Sequence, residues 1–152
     1  MKEDIFQLGI KALITNGAQK ILLLKVNTEK LTGYTGEAYW DIPGGRIERG
    51  STINETLRRE VEEEIGIKNI EIIRPFTMVL SNIRIPFQTS DTGLILYISE
   101  CRAPEPVEIN LSEEHSEYGW FSQSDAAQLL TYKYPAEFTD KIASLEIENY
   151  LP

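Results

Sequence analysis

The sequence predicts an α+β sandwich, and three observations carry that prediction. Short runs rich in Val, Ile, Leu and Tyr recur along the chain. One strongly amphipathic helix separates an early group of these strands from a later one, without the regular strand–helix alternation of a parallel α/β fold. The length, 152 residues, suits one domain, so residues 1–152 are read as a single unit. An apolar fraction of 41% is enough to build a core.

Residues 7–15 and 20–26 read as strands around Asn16-Gly17, a pair that suits a hairpin turn. Residues 26–37 are polar and contain Gly33 and Gly36, as an exposed loop does. Residues 38–42 read as a short strand rich in aromatic side chains, closed by Pro43-Gly44-Gly45. Ile53, Leu57, Val61 and Ile65 then recur every four residues and predict a helix over 52–65. Thr52 and Glu55 fit a capping box at its start, and Gly66 suits its stop. Residues 70–80 and 92–101 return to strand, with Pro86 and a polar loop between them. Pro104 and Pro106 open an irregular stretch. Residues 118–121 suit a short strand, 124–130 a helix capped by Ser124 or Asp125, and 138–150 a further helix. The single cysteine, Cys101, can form neither an internal disulfide nor a cysteine-rich zinc site, and reads as a small packing residue.

Charge narrows the function. Asp and Glu number 24 against 15 Lys and Arg, a net charge of -9 and a pI near 4.7. Extended nucleic acid and anionic membrane surfaces need cationic protein to neutralise phosphates, so neither is an expected partner. An acidic chain that handles phosphates needs positive charge from elsewhere, and a divalent metal is the natural source. The N-terminal residues mix charges where a signal peptide has an apolar core, and no apolar run approaches the roughly 20 residues that span a bilayer. The expected compartment is the cytoplasm.

The helix carries Glu60, Glu63 and Glu64, spaced i, i+3, i+4, so their side chains converge. At about 100° per residue, Glu60 and Glu64 project beside the apolar stripe. Like charges so close repel and raise each other's pKa. A hard divalent cation such as Mg²⁺, which takes oxygen ligands, relieves that repulsion. Charge runs are usually solvated faces. Here the run lies partly against the apolar stripe, and the Gly44-Gly45 turn lets backbone approach a ligand closely.

Residues 45–67 resemble the signature of the Nudix hydrolases, G-x5-E-x7-R-E-U-x-E-E-x-G-U with U a bulky aliphatic residue. Gly45, Arg59, Glu60, Val61, Glu63, Glu64, Gly66 and Ile67 match at the required spacings. The resemblance implies an α/β/α sandwich around a mixed β-sheet, and cleavage within the pyrophosphate of a nucleoside diphosphate linked to another moiety. It implies that Glu60, Glu63 and Glu64 bind Mg²⁺ or Mn²⁺ together with a backbone carbonyl at Gly44 or Gly45, and that Arg59 orients Glu60 or Glu63. In the family the general base is sometimes a helix glutamate and sometimes one on a later loop. Of Glu113, Glu114 and Glu117, which precede Trp120, Glu114 is the best positional match. His115, the one histidine, reads as incidental. One position departs from the signature: Ser51 stands where it has its first glutamate, the usual partner of Arg59. Glu55 and Glu48 are the available substitutes.

Tyr34, Tyr39, Trp40, Phe76 and Phe87 are aromatic side chains able to stack on a base, of which one or two are expected to touch ligand. Tyr39, Trp40, Phe87 and Arg46 are the substrate-binding candidates; Arg84 has the same standing as Arg46. Markers of the ADP-ribose, NADH and coenzyme A subfamilies are absent, which leans towards a small nucleotide, a nucleoside triphosphate or a modified one. The rivals are a hydrolase of nucleoside diphosphate sugars or dinucleoside polyphosphates, and a nucleotide sensor without turnover, which Ser51 alone favours. Many family members pair through sheet edges or N-terminal strands, so residues 4–14 are the candidate surface for a homodimer.

Overall fold

The structure, a computed structural model, describes residues 2–31 and 34–147. Among these residues the order is β1 (Phe6–Thr15), β2 (Ile21–Val26), β3 (Trp40–Asp41), β4 (Gly44–Arg46), α1 (Ile53–Ile65), β5 (Glu71–Leu80), β6 (Ile85–Phe87), β7 (Ser90–Arg102), β8 (His115–Phe121), α2 (Gln123–Leu129) and α3 (Ala136–Ala143). The strands form a mixed sheet. β1 runs parallel to β7 from Phe6↔Gly93 to Thr15↔Arg102, while β5 lies antiparallel to β7, and β3 and β8 antiparallel to β2.

Period-2 alternation along the central strands loads both faces of the sheet. Ile10, Ala12, Ile14, Leu22 and Leu24 pack against Leu57, Val61 and Ile65 of α1. Leu13, Ile21, Leu23, Leu96 and Ile98 pack on the opposite face against Ala126, Leu130, Phe138 and Ile142, contributed by α2, α3 and the turn between them. Each Val, Leu, Ile or Phe side chain among these contributes roughly 1.5–3 kcal/mol when fully buried. The result is the α/β/α sandwich that the sequence implied.

The helix that carries the signature is fixed at both ends. The Thr52 hydroxyl accepts from the Glu55 amide at 3.1 Å, and the Glu55 carboxylate accepts from the Thr52 amide at 3.1 Å. Gly66 closes the helix in the left-handed region, at φ 76°, where a side chain is disfavoured.

What opens the sheet for a site is the parting of β1 and β2. They pair at Thr15↔Ile21, next to their connection. Further along, β1 takes β4 instead, with Gly9↔Arg46, Ile10↔Gly45 and Lys11↔Gly44 in register. The three-residue β4 has no apolar alternation to announce it, and the sequence read it as the end of a turn.

Other differences are local. The β1–β2 connection is longer than a two-residue turn: the Asn16 side chain accepts from the amides of Ala18 and Lys20, both at 3.0 Å, and Gln19 takes the left-handed conformation, at φ 61°. Pro86 sits inside β6, opposite Asp91 of β7. β6 pairs with β7 alone among the described residues, so the missing N–H of proline faces no partner strand. α2 is capped by Ser122, whose hydroxyl accepts from the Asp125 amide at 3.1 Å, rather than by Ser124 or Asp125. α3 starts at Ala136, earlier than predicted. It also ends earlier, at Ala143 with Ser144 as its cap, so residues 144–147 of the helix predicted over 138–150 are not helical, and residues 148–150 lie outside the described residues. Cys101 is buried within the α1-side core, as a packing residue is. Among the described residues no helix is long and apolar enough to cross a membrane.

Candidate active site

A cleft of about 620 Å³ opens where β1 and β2 part. Its floor includes Gln7, Gly9 and Lys11 of β1 with Leu94 and Leu96 of β7. One wall brings together Gly44, Gly45, Glu60 and Glu64, and Glu114 joins them from the segment before β8.

Backbone geometry explains the glycines. Gly44 has φ 146°, and a Cβ there would collide with the Ile10 carbonyl across the β1–β4 ladder. A Cβ on Gly45 would run into the carboxylate of Glu60. The glycine pair therefore leaves room for the glutamate that α1 aims at it. The Gly44 amide donates to Glu64 Oε2 at 3.3 Å.

Burial sets the electrostatics of these carboxylates. Glu64 is 3% exposed, and desolvation pushes its pKa up to about 8 despite the opposing charge of Lys11 and the Gly44 amide. Desolvation also raises Glu60, with the charges of Glu63 and Glu114 adding to the effect and Arg59 opposing it. Glu114 is held close by backbone contacts. The amides of Asn110 and Ser112 donate to the Ile65 and Glu64 carbonyls of α1, both at 2.9 Å, and the Asn27 amide donates to the Glu114 carbonyl at 2.9 Å.

Glu63 is placed differently. Its side chain is 62% exposed and lies 4.0 Å from Arg59 Nε, and it does not line the cleft. Arg59 stands between the glutamates: its Nη2 donates to Glu60 Oε1 at 3.3 Å, and its Nη1 is 3.9 Å from Glu48 Oε2. Of the two substitutes for a glutamate at Ser51, Glu48 thus faces Arg59, while Glu55 is committed to the capping box. Among the described residues no three His, Cys, Asp or Glu side chains gather closely enough to hold a metal ion by themselves. The donor set along the wall is nevertheless hard oxygen throughout, the type that suits Mg²⁺ or Mn²⁺, and the raised pKa values of Glu60 and Glu64 show that Arg59 and Lys11 offset their charge only in part.

The substrate-binding candidates divide. Arg46 and Tyr39 line the cleft, with Arg46 Nη1 donating to Gln7 Oε1 at 2.8 Å. The Tyr39 ring packs on Tyr132, centroids 4.7 Å apart. Trp40 instead packs edge-on to Phe121 at 5.1 Å, and Phe87 is exposed on the β6–β7 hairpin; the structure brings neither to the cleft. Phe76 packs on Phe138. Arg84 is engaged by Asp4 and Asp91 on the surface.

The sequence reading missed a second charged group. Lys11, Asp41 and Lys133 all line the cleft and join in one buried cluster. The signal was available, since Lys11 and Asp41 each interrupt an apolar strand. His115, read as incidental, also lines the cleft. Its buried Nδ1 has no hydrogen-bond partner among the described residues, and burial lowers its pKa to about 4.

A mixed-sheet sandwich whose glycine turn and capped helix present buried glutamates to a cleft defines a class of phosphate-handling hydrolase fold. The profile of the NUDIX domain matches residues 5–142, and the chain belongs to that family. It is therefore a hydrolase acting on phosphoric anhydrides. It is 30% identical over 131 residues to the asymmetrical bis(5'-nucleosyl)-tetraphosphatase of Sus scrofa, covering 85% of this chain and 82% of that protein. Over 94 residues it is 33% identical to the nucleoside triphosphatase NudI of Escherichia fergusonii, covering 59% of this chain and 65% of that protein. Among solved structures, the MutT protein of Methanosarcina mazei Go1 superposes with a TM-score of 0.65 at 26% identity, over 93% of this chain and 94% of that one. An Ap4A hydrolase of C. elegans shares the fold, with a TM-score of 0.69 at 19% identity over 90% and 92% of the chains.

Proposed function

We propose that the protein is a divalent-metal-dependent pyrophosphohydrolase whose substrate is a small nucleotide, a nucleoside triphosphate or a modified one. The observation that carries the reading is the convergence of Glu60, Glu64 and Glu114 on one cleft of single-ligand size, two of them with pKa values raised by burial. Glu60 and Glu64, with backbone oxygen at Gly44 or Gly45 and with Glu63 from the same helix, are the groups to hold Mg²⁺ or Mn²⁺. Such an ion, when bound, neutralises phosphate charge and lowers the pKa of water. Glu114, which lines the same cleft and lies near enough to Glu60 to raise its pKa, is suited to accept the proton of the attacking water. Arg59 orients Glu60 and Glu63 rather than touching substrate. Tyr39 offers a ring face to the base, and Arg46 a guanidinium to a phosphate.

A dinucleoside polyphosphate is the second reading, favoured by the similarity to the tetraphosphatase of Sus scrofa. A panel of nucleoside triphosphates, modified triphosphates, dinucleoside tetraphosphates and nucleoside diphosphate sugars, assayed with Mg²⁺ and with Mn²⁺, separates the two. Turnover of mononucleotides with release of pyrophosphate or phosphate is expected to dominate. Preference for the dinucleotides would replace the first reading by the second, and absence of all turnover would leave a sensor.

Ser51→Glu tests the compensation at Arg59. With Glu48 already facing Arg59, the added carboxylate is expected to change kcat/KM by no more than about fivefold, the equivalent of the ~1 kcal/mol ceiling for an exposed ion pair. A larger gain would show that Glu48 is no substitute.

A further inference from the structure

Beside the glutamates, the cleft contains a polar cluster to which the proposed hydrolysis assigns no role. Lys11 Nζ and Lys133 Nζ donate to the same oxygen of Asp41, at 3.2 and 2.6 Å. The other oxygen accepts from the Tyr134 hydroxyl at 2.6 Å and from the Ile42 amide at 2.8 Å. Asp41 is thereby saturated by the protein and has nothing left for a ligand. The lysines are in the opposite position. Each ammonium has three donors, and among the described residues each commits one, to Asp41. Both line the cleft although their side chains are 7% and 12% exposed. They come from distant places, the middle of β1 and the segment between α2 and α3, and Asp41 holds them together.

Glu64 answers part of the charge of Lys11 from a distance, but the remaining N–H donors of the two buried side chains are costly to leave without an acceptor. Two ammonium groups fixed side by side present donors only. A ligand group with its own N–H donors meets no partner there, whereas an oxygen with free lone pairs meets two. The unpartnered Nδ1 of His115 is a second sign of unused hydrogen-bonding capacity in this cleft, within electrostatic reach of Lys11, Asp41 and Lys133. Tyr39 lines the same space.

We propose that Lys11 and Lys133, held on Asp41, form a specificity subsite that recognises an acceptor-only oxygen of the substrate. This rests on the nucleotide-hydrolase reading and names the group that the cleft selects. Two parts of a nucleotide have the required chemistry, a keto oxygen of the base and a phosphate oxygen.

Calorimetric titration of the whole protein with Mg²⁺ tells them apart, using three probes. α,β-Imido-GTP has a keto oxygen where α,β-imido-ATP has an amino group, and inorganic triphosphate has no base. Lys133→Met is expected to weaken binding by about tenfold or more, the scale of one hydrogen bond to a charged group. A loss on the guanine probe that exceeds the loss on the adenine probe identifies the keto oxygen. An equal loss on all three identifies a phosphate oxygen. No loss, an equal loss confined to the two nucleotides, or no binding of any probe by the wild type overturns the subsite. Should Lys133→Met fail to fold, Lys133→Arg keeps the charge on Asp41 but moves the donors, and unchanged affinities for all three probes would overturn it equally. The hydrolase reading stands or falls separately. Turnover by the wild type with intact probe binding in Lys133→Met sinks the subsite alone, and Lys133-dependent binding without wild-type turnover sinks hydrolysis alone.

Discussion

Glu60→Gln is expected to lower kcat/KM on the order of 10²–10³-fold, the scale on which loss of one preorganised electrostatic group slows an enzyme. Glu60 is the carboxylate to which the glycine turn yields its space, with a side chain only 17% exposed. Glutamine keeps its length and shape and removes its charge. Glu63, exposed and turned to Arg59, is expected to show a smaller loss as Glu63→Gln, so the ranking of the two variants tests the geometry as well as the chemistry. Folding provides an independent readout. The Glu60 carboxyl has its pKa raised in the folded protein, chiefly by desolvation. Over that window the folded state binds more protons than the unfolded one, so wild-type stability falls as pH rises through it. Removing the charge takes that cost away. The metal-free Glu60→Gln protein should therefore have a Tm at pH 8 no lower than the wild type, with the difference shrinking towards pH 4. A large drop in Tm at pH 8 would mean that the lost rate reflects a damaged fold.

The signature helix was fully legible because every local signal on it agrees: the four-residue apolar repeat, the Thr52–Glu55 box and the Gly66 stop. The strands of the core were legible for the same reason, since β1, β5 and β7 are long and rich in β-formers. The short strands β4 and β6 were not. Gly44–Arg46 becomes a strand because β1 leaves β2 and offers it an edge, a tertiary circumstance that three residues cannot encode. The glutamates could be named from spacing, but spacing could not show that Glu63 turns outward to Arg59 while Glu60 and Glu64 line the cleft. Nor could it choose between Glu48 and Glu55, because the choice depends on Glu55 being used by the cap. Lys133 was invisible for a plainer reason. In sequence it is one lysine between two tyrosines in a segment after α2, and only the fold brings it to Asp41, far away in the chain.

That convergence makes Asp41 the residue whose replacement should cost most stability. Burial pushes its carboxyl pKa up, but Lys11 and Lys133 outweigh burial and hold it well below the usual carboxylate range. Asp41→Asn keeps the shape and one acceptor, and leaves two ammonium groups facing each other without the carboxylate they share. Breaking a buried pair in this way costs about 3–5 kcal/mol. In a chain of this length that corresponds to a fall in Tm of roughly 10 °C, since each kcal/mol is worth roughly 2–4 °C. The pH dependence identifies the cause. Burial already lowers the pKa of Lys11 in the folded state, with Asp41 opposing, so neutralising Asp41 lowers it further below the ordinary lysine pKa of about 10.4. The folded variant then binds fewer protons than its unfolded chain over that window, so its stability rises as the pH climbs towards 10. The deficit against the wild type should accordingly be largest near neutrality and narrow at high pH. Adding Lys133→Met to Asp41→Asn should recover part of the loss, because it removes one of the opposed charges, and a double-mutant cycle measures that coupling. A deficit that is flat with pH and unrelieved by Lys133→Met would show that Asp41 serves the Tyr134 hydroxyl rather than the two lysines.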